Sequence, residues 1–516
     1  MQWDIGYIPK KRARFTPNKK ALIYEDTPIT YKELNENINR LANYMQSKGI
    51  KKGDRVSVMI LNCPEFFEIY FAAAKLGVIF VPLNFRMVGP EIEYQLNDSG
   101  TRLFVFHDMF TETVNSIRSK VRVEQDKYIF LKSRFPGAHK CPDWALDYPE
   151  VIRNYPVDEP QPDRPVELDD PLAILYTSGV TGDPKGAVVS HQQTFFKNFQ
   201  VMLYTDVGPD DTILAQLPLF HSGGLFITAT PTFNRGATLI LRQGFNPEQF
   251  ANDIARYKAT VIFALTTMWR FILDSGRLDE IDKSSVRVIA GGGERTPPSL
   301  FHELAKRGLF MQQGFGQTEN SAMMMLPKED IIRKMGSVGL PGFFTEVWVV
   351  DDEDTEVSPG EIGRIVARGP TVMSGYWEKP DETAQTIVDG ILHTGDLGYR
   401  DAEGYFYIVD RANDMYRSGG ENVYPAEVEK VLIDHPKVSN VAIIGVPDKK
   451  WGETGKAFIS LCEEGTGLTL EEIHEFLNGK VAKFKFPTHL EVMEELPITA
   501  SGKVRKVELK KKVKKL

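Results

Sequence analysis

Cysteine is scarce in this sequence: Cys63, Cys141 and Cys462 are the three in a chain of 516 residues. An odd count at such wide spacing excludes a disulfide framework and a zinc cluster, and fits a reducing compartment. Long apolar runs are lacking as well. The stretch 69–83 is interrupted by Lys75, Gly77 and Pro82, so no transmembrane helix is expected. Residues 1–20 are basic, contain Pro9 and Pro17, and have no apolar run of signal-peptide length. Positive charge is not in excess either. Lys and Arg total 62 against 70 Asp and Glu, for a net charge of −8, which argues against a nucleic-acid binder. A cytoplasmic location is the expectation.

What is present is ordinary globular material, 42% apolar and 26% charged. At roughly 100–200 residues per domain, the length suggests two to four domains. Thr30-Tyr31-Lys32-Glu33 reads as a capping box, followed by Leu34, Ile38, Leu41, Ala42 and Met45 on one helical face. Short β-rich runs at 56–61, 103–106, 128–131, 173–176, 238–241, 261–265 and 286–290 alternate with helical patterns. This predicts an α/β fold with largely parallel sheets. Between 348 and 410 the runs shorten, with Gly, Pro and Asp between them, predicting a compact β subdomain. A smaller α+β unit follows, with helices opened by Pro425 and by Thr469. The expected division is a large N-terminal domain over 1–412 and a small, mobile C-terminal domain over 413–516. The lysine-dense segment 501–516 reads as a solvated tail, with weak peripheral membrane association as its other use.

The strongest chemical signal is Tyr176-Thr177-Ser178-Gly179-Val180-Thr181-Gly182-Asp183-Pro184-Lys185-Gly186. Its glycines let the backbone approach a ligand closely. The hydroxyls of Thr177, Ser178 and Thr181, with backbone N–H groups, can surround phosphate oxygens, and Lys185 adds a positive charge. It is not a Walker A loop, because Asp183-Pro184 intervene before the lysine. Alone, the segment could equally be a glycine-rich turn.

With further motifs in order along the chain, the sequence from Thr30 to Lys506 resembles the AMP-forming acyl-CoA synthetases. That superfamily also holds firefly luciferase and peptide-synthetase adenylation domains. The resemblance implies an ATP-dependent carboxylate–CoA ligase using Mg²⁺ and coenzyme A. Gly314-Phe315-Gly316-Gln317-Thr318-Glu319 resembles the segment in which the Thr contacts the α-phosphate and the Glu holds Mg²⁺. Gly292, Gly293 and Glu294, before Thr296-Pro297, resemble the adenine-pocket segment. The bland alternative there is a strand-to-helix turn capped by Thr296. His393-Thr394-Gly395-Asp396 and Asp410-Arg411 resemble the ribose-binding motifs. Asn413 stands at the family's hinge and Gly420 in its CoA-channel loop. Lys503, in Pro497-Ile498-Thr499-Ala500-Ser501-Gly502-Lys503, resembles the lysine delivered to the adenylation site. The implied catalytic set is Lys503, Thr318, Glu319 and Lys185.

Substrate choice rests on Phe220-His221-Ser222-Gly223-Gly224, which resembles the segment beside the acyl pocket. Amino-acid-activating relatives usually place Asp where His221 stands, so a free amino acid is disfavoured. His221, Gly224, Thr266 and Gly314, with Leu265 and Trp269, outline a mostly apolar pocket. Medium- or long-chain fatty acids are expected first and arylcarboxylates next. No obvious cation marks a dicarboxylate site; Arg333 or Lys334 contributes one only if the following loop folds inward. A luciferase-like oxygenase and a non-catalytic nucleotide sensor are the competing readings. The expected partners are a carboxylic acid, ATP and CoA, without nucleic acid; a homodimer is left open.

Overall fold

The computed structural model describes residues 3–134, 140–177, 184–293, 296–411, 414–418, 421–448, 451–462, 467–478, 480–481, 483–498 and 504–514. Two large sheets form the body. In the first, Val56 stands in parallel register with Phe80 and with Leu103, and Phe104 with Tyr128. In the second, Ile213 is in parallel register with Leu239 and Val261, and Ile289 with Met311. Most of these strands are rich in Val, Ile, Leu and Phe, as strands covered on both faces are. The helix Pro64–Leu76 is buried along nearly its whole length. Its Phe66 meets Phe80 of the first sheet at 5.2 Å between ring centroids, and its Phe67 meets Phe233 at 4.9 Å. Phe233 leads into the second sheet, so this helix joins the two layers into one core.

The capping box at Thr30 is present, with Glu33 bonded back to the Thr30 N–H, and Leu34, Ile38, Leu41 and Met45 are buried. The strands Glu346–Val350, Gly363–Arg368, Ile391–Arg400 and Phe406–Arg411 make the antiparallel subdomain. Val349, Ile365 and Phe406 fill its interior.

Beyond it, Val438–Asp448 and Gly452–Leu461 form a long hairpin, with His489–Val492 parallel to the second strand. The helices Pro425–Leu432 and Leu470–Leu477 pack on it through Val428, Leu432, Ile473 and Leu477, so this small unit has a core of its own. Its contacts with the large body include two polar ones. Ala426 N–H donates to the Asp410 carboxylate at 2.9 Å, and Ser299 Oγ bonds Asp434 at 3.1 Å.

Two expectations change. The lysine-rich end is not a solvated tail. Lys506–Lys514 is a helix whose Leu509 is buried against Ala442 and Phe458. Lys510 pairs with Asp414 at 3.0 Å, Lys506 with Glu429 at 2.8 Å and Lys512 with Glu491 at 2.5 Å. Three lysines needed for a basic docking strip are therefore already neutralised within the fold. The turn after Gly293 also differs. The helix is Pro298–Lys306, with Pro297 at the N-cap position. Thr296 is not the cap; its hydroxyl is 2.8 Å from that of Thr266. Among the described residues, no helix is long and apolar enough to cross a membrane.

Candidate active site

The phosphate-type loop joins two strands of one hairpin. Pro171–Thr177 runs antiparallel to Lys185–Ser190, and Thr177 stands opposite Lys185. Thr177 Oγ1 donates to the Lys185 carbonyl at 3.3 Å. The hairpin therefore holds the two ends of the loop together, although Ser178, Gly179, Thr181 and Gly182 lie outside the described residues. Lys185 Nζ stands 5.3 Å from the Tyr376 ring centroid. Tyr376 is on a short strand paired with Lys185–Ser190, which fixes that approach.

The Thr318-Glu319 segment is a tight turn between Met311–Phe315 and Met324–Met325, not the start of a helix. A Cβ on Gly316 would lie 1.5 Å from the Ser321 carbonyl oxygen, so only glycine lets the turn close. Ser321 completes it at φ +57°, with its N–H on the Gln317 carbonyl at 2.6 Å. Glu319 Oε1 accepts from the Tyr376 hydroxyl at 3.0 Å. Burial, then the Glu319 carboxylate, push the Tyr376 phenol well above its ordinary range, so it stays a donor. Lys185, Tyr376 and Glu319 form one connected group. Tyr376 was not singled out in the sequence; Gly375-Tyr376-Trp377 carries only a faint aromatic signal there.

The ribose-type pair is also assembled. Asp396 and Arg411 are opposite each other on neighbouring strands. Asp396 is 3% exposed, and its carboxylate takes Arg411 Nε at 2.8 Å. Gln317 Nε2 bonds the same carboxylate and the Thr394 carbonyl, the latter at 2.8 Å. Gln317 thus ties the Thr-Glu turn to Asp396.

The glycines Gly291, Gly292 and Gly293 end the strand Val288–Gly291, beside Met311–Phe315. A Cβ on Gly292 would stand 2.6 Å from the Gly314 carbonyl, and Gly293 has φ +82°. Close backbone approach and a left-handed turn explain both. Gly293, Phe315, Asp396 and Arg411 line one wall of a 1020 Å³ cleft. Glu427, Lys430 and Lys485 of the small unit line the other. Glu294, Asn413, Gly420 and Lys503 lie outside the described residues. An antiparallel bridge between Ile498 and Val504 brackets the segment that carries Lys503.

On the acyl side, the segment after His221 is a π-helix, Gly223–Ala229, a form that concentrates at functional sites. His221 lies against Phe220 at 4.3 Å between centroids. A Cβ on Gly224 would lie 2.3 Å from the Pro218 carbonyl, so this glycine serves a backbone approach. Ser222 and Ser321 share a hydroxyl contact at 2.8 Å, joining the π-helix to the Thr-Glu turn. Thr266 is buried. Trp269 is not pocket wall: it is fully buried in the main core, 6.3 Å from Phe250.

Arg333 and Lys334 are not free to serve as pocket cations. Arg333 pairs with Asp330 at 2.8 Å and with Glu403. Lys334 pairs with Asp401 and Glu403, both at 2.6 Å. A buried cation not singled out in the sequence is Lys197, on the helix His191–Thr205, which packs against the π-helix.

The AMP-binding enzyme family matches residues 9–377, and the AMP-binding enzyme C-terminal domain matches residues 427–503. A feruloyl-CoA synthase of Amycolatopsis sp. is 37% identical over 509 residues, covering 98% of this chain and 99% of that protein. A long-chain fatty-acid–CoA ligase of Mycobacterium tuberculosis is 34% identical over 514 residues, covering 98% of both chains. The o-succinylbenzoate CoA synthetase of Bacillus subtilis, solved with its acyl-adenylate intermediate, superposes with a TM-score of 0.86 at 31% identity. That match covers 98% of this chain and 97% of the other, and the same enzyme has been solved with ATP and magnesium ion. ATP, Mg²⁺ and coenzyme A are used by this family. With both parts of the family matched in order along one chain, the protein belongs to the AMP-binding enzymes of the adenylate-forming superfamily, and is an AMP-forming acid–thiol ligase that works through an acyl-adenylate.

Proposed function

We propose that this ligase activates an arylcarboxylate. The supporting observation is the polar chemistry buried around the acyl segment: the Ser222–Ser321 and Thr266–Thr296 hydroxyl pairs and the Lys197 ammonium. The two hydroxyl pairs already bond each other, so the Lys197 ammonium is the polar group an alkyl chain would leave unsatisfied. A compact substituted ring brings its own polar atoms. The likeness to a feruloyl-CoA synthase supports the same reading. A medium- or long-chain fatty acid stands second, supported by the fatty-acid ligase relative.

In the proposed mechanism the substrate carboxylate attacks the α-phosphorus of ATP and pyrophosphate leaves. Two anions must meet, so the residues around them supply positive charge and hydrogen bonds. Thr318 contacts the α-phosphate, and Lys185 and the loop hydroxyls receive the leaving phosphates. Asp396 and Arg411 hold the ribose, and Gly292, Gly293, Glu294, Phe315 and Gly316 bound the nucleotide. Glu319 suits Mg²⁺, which prefers oxygen ligands shared with substrate phosphates. Its half-buried carboxylate lies beside the phosphate-loop lysine and is oriented by Tyr376. When bound, the ion neutralises phosphate charge.

Lys503 bridges the carboxylate and the α-phosphate as charge shifts toward pyrophosphate. The domains divide at 412/413, and rotation at Asn413 withdraws Lys503 and presents Gly420 to CoA. The thiol then attacks the acyl-adenylate and AMP leaves.

A carboxylate panel of benzoates, cinnamates and C2–C18 alkanoates, scored by CoA-dependent AMP release, tests the substrate reading. Arylcarboxylates are expected to give the highest kcat/KM. A higher value for C8–C18 alkanoates overturns it.

A further inference from the structure

Lys197 is 1% exposed. Among the described residues, its Nζ has no hydrogen-bond partner. The Phe226 ring, on the π-helix of the acyl segment, has its centroid 5.7 Å from Nζ. A ring face at that distance offsets only a fraction of the cost of a buried ammonium. Glu319 acts on the lysine through space without an ion pair, and burial outweighs it, lowering the ammonium to about 7. The lysine therefore lies between the π-helix and the Thr-Glu turn, two segments that the Ser222–Ser321 contact holds together. An ammonium buried there costs several kcal/mol unless its proton leaves or a counter-charge arrives.

We propose that Lys197 is a specificity residue of the acyl pocket, receiving a second carboxylate on the substrate, remote from the one that is activated. The buried Nζ, with the Phe226 ring as its near neighbour, is the group that would receive that carboxylate. The substrate class is then a dicarboxylic acid with one carboxylate converted to the thioester and the other retained against Lys197. This rests on the arylcarboxylate reading for the ring, but not for the second carboxylate. The rival explanation is that Lys197 serves only as a counter-charge for Glu319. That role would affect every acid equally.

The test uses matched pairs on the full-length enzyme: benzoate against its ortho-, meta- and para-carboxy derivatives, cinnamate against carboxycinnamates, and alkanoates against alkanedioates. The 4-hydroxy derivatives form a neutral arm. The wild type should favour at least one dicarboxylate over its partner by about 10- to 100-fold in kcat/KM, the scale of a charge-assisted hydrogen bond. Lys197→Met should collapse that ratio, chiefly through KM of the dicarboxylate. Lys197→Arg should restore part of it. Equal kcat/KM within every wild-type pair overturns the proposal, and that measurement stands even if Lys197→Met does not fold. So does an equal loss for both members of a pair in Lys197→Met, or a preference confined to the hydroxy arm. Preference for alkanedioates with no turnover of any ring acid would overturn the aryl reading and leave the role of Lys197 supported.

Discussion

On the nucleotide side of the site, Asp396 is held by Arg411 and Gln317, and Glu319 by Tyr376. On the acyl side, Lys197 is buried with a ring for a neighbour and no hydrogen-bond partner among the described residues. The first region is organised before ligand arrives: its polar groups bond one another, so nucleotide exchanges one set of hydrogen bonds for another. The second holds a buried ammonium without a hydrogen-bond partner among the described residues, so on the proposal above it gains most from its ligand. Nucleotide binding by such an enzyme should depend on positioning, and acid selection on the match of one buried charge.

That comparison can be broken, beginning with the largest effect. Lys503→Ala should lower adenylation by about 10²-fold or more, as the loss of one positioned transition-state charge does. Given pre-made acyl-AMP, the variant should still form thioester at near the wild-type rate. Pyrophosphate release and thioester formation, measured separately, check this; equal loss of both would mean that one conformation serves both steps.

Asp396→Ala comes next. Losing a charged acceptor should weaken ATP binding by about 1–3 kcal/mol, read by calorimetry or by the KM for ATP. Unchanged affinity would remove Asp396 from the nucleotide side altogether.

Gly316→Ala addresses the scaffold of the same region. Its new methyl group meets the Ser321 carbonyl, and relief of that clash should cost about 1–3 kcal/mol of stability. Chemical denaturation measures it, and a variant as stable as the wild type would show that the turn can open freely.

The smallest effect belongs to Tyr376→Phe. It removes one hydrogen bond to Glu319, worth about 0.5–1.5 kcal/mol. Adenylation should slow by less than about tenfold, with the Mg²⁺ concentration for half-maximal rate raised. No change in either would separate Tyr376 from the Mg²⁺ role proposed for Glu319.

The sequence alone determined the strands and most helices, because continuous Val, Ile and Phe runs bury on both faces of a sheet and the capping boxes at Thr30 and Thr469 are local. It also determined the family, since the motif residues occur in order along one chain. Asp396 and Arg411, named from the resemblance of their motifs, stand side by side in the structure.

What only the tertiary structure decided involves partners distant in sequence. Trp269 was read as pocket wall and lies in the core, because burial depends on what the Phe250 helix brings to it. Arg333 and Lys334 were candidate cations until Asp401 and Glu403, some seventy residues on, neutralised them. The lysine-rich end was read as solvated until Asp414, Glu429 and Glu491 met it. Lys197 is the reverse case. In sequence it is one lysine on a helix that also carries Phe199 and Leu203, yet the structure exposes those two and buries Lys197, in a helix packed against the π-helix after His221. Charge is written in the sequence, but whether a charge is solvated, paired or left waiting is fixed by which surfaces fold against it.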